Sequence, residues 1–224
     1  MKMRLALPVA VMVLGLSLVL VSLGSASPPS GDPGTPARVI CSLVPAINAD
    51  YEFTGSNKCK KCHIKEHKSW EKTKMGQALE TLKPGAAAEI KTKFGLDPQK
   101  DYTTDEKCLA CHTTGYGKPG GYAIPAAGDE KAAKAAKNLA GGGCETCHGA
   151  AGKYIDIFED IFKSKRKYKV DELHAAGMTK IDAATCTQCH NDKSPTFDAT
   201  KPFDFEKMKD QDRHEKVELK QREG

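Results

Sequence analysis

Eight of the chain's nine cysteines fall in one five-residue pattern, Cys-x-x-Cys-His, which occurs four times. The four units are Cys59-Lys60-Lys61-Cys62-His63, Cys108-Leu109-Ala110-Cys111-His112, Cys144-Glu145-Thr146-Cys147-His148 and Cys186-Thr187-Gln188-Cys189-His190. This spacing is the signature of c-type haem attachment. Two thiols add across the two vinyl groups, the adjacent imidazole ligates iron from one face, and all three contacts converge on one porphyrin. Paired cysteines also build structural zinc sites, and an exported chain can form disulfides. Neither reading accounts for a histidine directly after every second cysteine. Four covalently attached haems c are therefore expected. Cys59, Cys62, Cys108, Cys111, Cys144, Cys147, Cys186 and Cys189 would be the thioether positions, and His63, His112, His148 and His190 the proximal iron ligands.

That cofactor load suits the composition. A chain of 224 residues makes one domain or two small ones. Beyond its first segment it is rich in Lys, Ala and Gly and too poor in core-forming residues to bury a conventional core for its length. Haems would supply the missing apolar mass, leaving the haem-free polypeptide largely unfolded. The expected fold class is mainly α, a small multihaem cytochrome c whose short helices and loops wrap four stacked haems. Helices are expected near 64–82, 86–94, 129–139 (stopped by Gly141-Gly142-Gly143), 155–164 and 203–220. The Gly- and Pro-rich span 113–125 reads as a loop, and no convincing run of strands is present. Motif starts are 49, 36 and 42 residues apart with dissimilar flanks, so the chain is not a repeat array.

The compartment is read from the N-terminus. Lys2 and Arg4 precede an uncharged apolar run over 5–23, then Gly24-Ser25-Ala26 and a Ser/Pro/Gly-rich stretch. This is the layout of a secretory signal peptide. The expected organisation is a signal over 1–26, a flexible linker over 27–50 and a tetrahaem domain over 51–224, with a periplasmic or extracellular location. The apolar run is almost long enough to span a bilayer, so a membrane association follows only if the signal stays uncleaved. Cys41 is left unpaired, free to crosslink chains or to stay buried. Losing Lys2 and Arg4 leaves 32 basic against 29 acidic residues. Eight haem propionates would bring that to near neutral or acidic, which argues against nucleic-acid binding. Basic clusters around 58–68 and 163–167 read as a solvated face, or as docking and propionate-pairing groups.

The distal face of each iron decides what it can bind. With four of the seven histidines proximal, three remain: His67, His174 and His214. Three histidines cannot serve four irons, so at least one haem uses Met, another ligand or none. His214 stands out on an expected polar helix and His174 near a helix end. His67 follows His63 by four residues, so on one helix the two share a face. His67 would then serve a neighbouring haem or bond a propionate. Met75 is a candidate too, or else packs with Ala78, Leu79 and Leu82. His/Met ligation would raise that haem's potential above a bis-His one.

Beyond the motifs, the chain resembles the tetrahaem cytochrome c-554 family, whose best-known member takes electrons from hydroxylamine oxidoreductase. The likeness runs from about Cys59 to Leu219 through Ser69-Trp70, Thr81-Leu82-Lys83-Pro84, Leu96-Asp97-Pro98, Asp101-Tyr102-Thr103, Gly115-Tyr116-Gly117, Gly120-Gly121-Tyr122, Cys147-His148-Gly149 and His214-Glu215. It implies a mostly helical fold, closely stacked haem pairs, mostly bis-His irons, and a five-coordinate second haem, here the one at His112. Two departures stand out. The family has a histidine where this chain has Met75, and another soon after the third motif, where here none occurs before His174. The expected function is electron transport between a redox donor and an acceptor, with no enzymatic activity. The alternatives are reduction of nitric oxide or another small nitrogen oxide at an open haem, and a subunit of a homo-oligomeric haem filament.

Overall fold

The computed structural model describes residues 51–223. The expected signal peptide, the linker and Cys41 lie outside the described residues. The described chain is a succession of short helices. In order they are α1 (Ser56–Lys60), α2 (Ile64–Trp70), a 3-10 turn (Ala78–Leu82), α3 (Ala88–Lys93), α4 (Glu106–His112), α5 (Glu130–Asn138), α6 (Cys144–His148) and α7 (Tyr154–Ser164). Strand β1 (Tyr168–Lys169), α8 (Val170–Ala175), α9 (Ala183–Thr187), α10 (Phe205–Met208) and β2 (Arg222–Glu223) complete it. The two strands pair in parallel, Tyr168 with Arg222 and Lys169 with Glu223. They strap the C-terminal segment to the chain just after α7.

Local chemistry sets these boundaries. The longest helix, α7, places Tyr154, Ile157, Phe158 and Ile161 at the three- and four-residue spacing that makes one apolar face. Helix starts are marked by aspartates whose carboxylates accept backbone N–H groups: Asp105 from Lys107, Asp129 from Ala132 and Asp182 from Thr185. At α9 the Thr185 hydroxyl answers the Asp182 backbone, completing a capping box.

Two expected helices are shorter than their sequence suggests. The 64–82 span breaks after Trp70, where the Trp70 carbonyl accepts both the N–H and the hydroxyl of Thr73 and turns the chain. The 203–220 span keeps only Phe205–Met208. Beyond Met208 the residues are mostly charged or polar, with Val217 and Leu219 two apart, and offer no apolar stripe to bury. Asp212 moreover adopts a left-handed backbone (φ 54°), which ends any helix there.

Buried side chains form two small clusters. The first gathers Leu82, Tyr102, Leu109, Tyr122 and Leu139 around α4, and the second gathers Ala151, Tyr154, Ile161, Tyr168 and Leu173 around α7. Gly141-Gly142-Gly143 links them to the third motif. A Cβ on Gly141 would lie 2.4 Å from the Gly76 carbonyl oxygen, and its φ of 73° also favours glycine. That closeness lets Gly142 donate its N–H to the Met75 carbonyl at 2.8 Å and accept the Trp70 indole N–H at 2.8 Å.

Candidate functional site

Each Cys-x-x-Cys-His unit sits on one short helical turn. The second and third are wholly inside α4 and α6, the first joins α1 to α2, and the fourth runs from α9 into the turn after it. One turn puts residues i, i+3 and i+4 on a common face, so both thiols and the imidazole point the same way. None of the eight described cysteines is in a disulfide. The thiols instead meet across motifs. Cys59 stands beside Cys144 where α1 packs on α6, and that neighbour lowers Cys144 to about 7 and pushes Cys59 up. Cys189 likewise stands beside Cys111, which is lowered to about 7 while Cys189 is raised. Burial, with Cys186 alongside, pushes Cys147 up to about 11. The attachment turns therefore neighbour one another in the order first, third, fourth, second.

The histidines share a second pattern. Nδ1–H of His112 donates to the Ala78 carbonyl at 2.7 Å, that of His174 to Met178 at 2.8 Å, and that of His214 to Glu215 at 2.7 Å. His63 Nδ1 lies 3.3 Å from a Glu66 carboxylate oxygen. An acceptor at Nδ1 fixes the proton there, orients the ring and leaves the Nε2 lone pair for a metal. His148 and His214 face each other with ring centroids 6.3 Å apart and planes 31° apart. Two metal–nitrogen bonds of about 2 Å each, with the ring radii added, span roughly that distance. Burial, with His214 and His63 beside it, holds His148 neutral by lowering it to about 4. A metal needs its imidazole in that neutral form. His190 stacks flat on Phe203 at 4.5 Å. A cavity of about 360 Å³ opens beside the first motif, lined by Cys62, His63, Phe158, Ile161, Tyr168 and Leu219.

His67 is buried, with 5% of its surface exposed. Its Nδ1 lies 3.5 Å from the Glu71 carboxylate but out of line for a hydrogen bond. It is the one fully buried side-chain polar atom without a partner among the described residues. Unbridged cysteine pairs, oriented imidazoles with free Nε2 atoms, the 6.3 Å histidine pair and this orphaned nitrogen together fit haem at the four turns. Comparison with known proteins agrees. Residues 58–149 match the family described as cytochrome c554 and c-prime. Cytochrome c-554 of Nitrosomonas europaea is 35% identical over 164 residues, a match that spans 70% of this chain and 66% of the relative. The solved structure of reduced cytochrome c554 from Nitrosomonas europaea superposes with a TM-score of 0.67 at 32% identity, covering 78% of this chain and 91% of that one. This chain belongs to the cytochrome c554 family. It is accordingly a tetrahaem c-type cytochrome of mainly helical fold, a class of electron carriers.

In this cytochrome the distal candidates lie in different settings. His214 is brought to His148, on an extended segment rather than on the expected helix. His174 occupies the last turn of α8 and touches no other histidine ring among the described residues. Met75 is partly buried, and a methyl placed on Gly142 would lie 3.2 Å from its Cε. Its backbone N–H is held by the Asp212 carboxylate at 3.0 Å, and that of Lys74 at 2.8 Å. Glu215 donates its N–H to Ser69 Oγ at 2.8 Å. These contacts dock the His214 segment on the chain after α2. Sequence reasoning gave no role to Asp212 and Ser69, which dock the His214 segment by accepting backbone N–H groups, or to Phe203, which stacks on His190. It also missed Glu145, a charged residue inside a motif whose charge no nearby cation in the sequence explains.

Proposed function

We propose that this cytochrome carries electrons between a donor and an acceptor redox protein outside the cytoplasm, along four haems in the order first, third, fourth, second. What supports this is the packing of the motif turns, α1 on α6 and α6 on α9, with Cys189 beside Cys111. Attachment points this close make an unbroken series. When bound, each haem supplies an iron that cycles between the ferric and ferrous states. The eight motif cysteines would hold the porphyrins, and His63, His112, His148 and His190 would ligate from the proximal side. His63 and His112 are oriented for this by Glu66 and by the Ala78 carbonyl. His214 is the distal partner of His148, which the facing rings support. His67, His174 and Met75 remain for the other distal faces, and the resemblance makes His112 the ligand of the open iron. The leader-like segment over 1–26 supports export. The N-terminal mass of the purified protein reports its cleavage.

The test is an intact mass for four thioether-bound haems, followed by paramagnetic resonance and optical spectra with and without nitric oxide. Four haems reduced in a stepwise titration, without catalytic turnover, support a carrier. Fewer haems, or steady consumption of nitric oxide, would sink it.

A further inference from the structure

The least expected charge in the described residues is Glu145, the second residue of the third motif. It is 2% exposed. Its carboxylate accepts the N–H groups of Thr54 at 2.9 and 3.1 Å, Gly55 at 2.7 Å and Ala151 at 2.7 Å, and the Thr54 hydroxyl at 3.3 Å. Among the described residues no lysine or arginine pairs with it. Every one of these contacts puts a donor on a carboxylate oxygen, the arrangement that suits a group that only accepts. Its acceptor geometry also needs the charge, because a neutral amide would turn an NH₂ group against N–H donors. The donors come from the loop entering the first motif, Gly55 being the residue before α1, and from the chain leaving the third. One carboxylate thus ties two attachment turns together at the place where Cys59 meets Cys144. Little solvent screens it there, so its field reaches both sites undiluted.

We propose that Glu145 is a positioning residue for the first and third haem sites, whose buried anion locks the two turns in register and lowers the reduction potentials of both haems. The sign follows from charge: a fixed anion favours the more positive ferric iron. The assignment rests on the haem sites proposed above.

The experiment is spectroelectrochemical titration of the purified holoprotein carrying Glu145→Gln, with Glu145→Asp beside it. Glu145→Gln removes the charge and should raise two of the four potentials by about 59 mV, a tenfold change in each one-electron reduction equilibrium. Glu145→Asp keeps the charge on a shorter arm and should leave those potentials near wild type while lowering thermal stability. Equal potentials in Glu145→Gln and wild type, with four haems by mass, overturn the assignment and leave the haem sites standing. A wild type without haem at the first or third motif overturns the sites themselves. If Glu145→Gln fails to mature, the reduced-minus-oxidised infrared spectra of wild type and Glu145→Asp decide. A redox-sensitive carboxylate band that moves on substitution supports the proposal, and no such band refutes it.

Discussion

His214 reaches His148 only because residues beyond α10 are stapled to the chain after α2, so cutting one staple should release it. Asp212 is the strongest point. Its carboxylate accepts two backbone N–H groups, from Lys74 at 2.8 Å and Met75 at 3.0 Å, while its own φ is 54°. Each such bond at a solvent-exposed position is worth about 1 kcal/mol net. Alanine in a left-handed conformation adds roughly 1 kcal/mol of backbone strain. Asp212→Ala should therefore weaken docking by about 3 kcal/mol, on the order of a hundredfold in the ratio of docked to released segment. Asp212→Gly removes the bonds without the strain and should give about thirtyfold. Asp212→Asn tolerates the left-handed backbone and keeps one carbonyl acceptor, so about fivefold is expected. The assay is stopped-flow binding of imidazole to the ferric protein: with His214 on the third iron as proposed, an incoming ligand would have to wait for it to leave. Its rate should rise in the order Asn, Gly, Ala. Three variants at the wild-type rate would show that Asp212 does not govern this site. Equal effects of Gly and Ala would show that the backbone argument is wrong.

Two further outcomes are expected. Leu109 is fully buried in α4 between Cys108 and Cys111, so Leu109→Ala should destabilise the holoprotein by about 2–5 kcal/mol in denaturant titration. A change under 1 kcal/mol would place the packing of the second motif on its haem instead. Protein made without haem attachment should show no cooperative transition by circular dichroism or calorimetry, because the two apolar clusters are too small to fold the chain alone. A sharp melt of that polypeptide would refute this.

The haem sites were legible because covalent chemistry is local: five consecutive residues carry both thiols and one ligand, and no fold is needed to see them. Helices α5 and α7 were legible for a similar reason, since their apolar spacing and the aspartate and glycines that bound α5 all lie within one window. The distal ligands were not. Whether His67 or Met75 meets an iron depends on contacts 70 residues or more away, such as Trp70 with Gly142 and Met75 with Asp212. The 203–220 helix was overread because helix-favouring Glu and Lys residues cannot hold a helix that buries nothing. Glu145 was invisible because its partners are backbone N–H groups, which every residue type provides.

The C-terminal quarter shows why haem has to be part of the fold. Between 178 and 223 only Thr185 is fully buried, yet this stretch carries the fourth motif and His214. Beyond the two-residue β1–β2 pairing, Met178 on the second cluster and the Thr179 N–H on the His148 carbonyl, its links to the rest are mostly polar and exposed: Lys93 with Asp198, Lys74 and Met75 with Asp212, Ser69 with Glu215, and Lys167 with the Lys220 carbonyl. Exposed contacts of this kind stabilise little by themselves, and far less than ordering some 45 residues costs in conformational entropy. The balance has to come from the group that Cys186, Cys189 and His190 attach and from the iron that His214 would share with His148. With the haem sites proposed above, ligation would be the step that orders the last quarter of the chain, tying its stability to the same bonds that set its potentials.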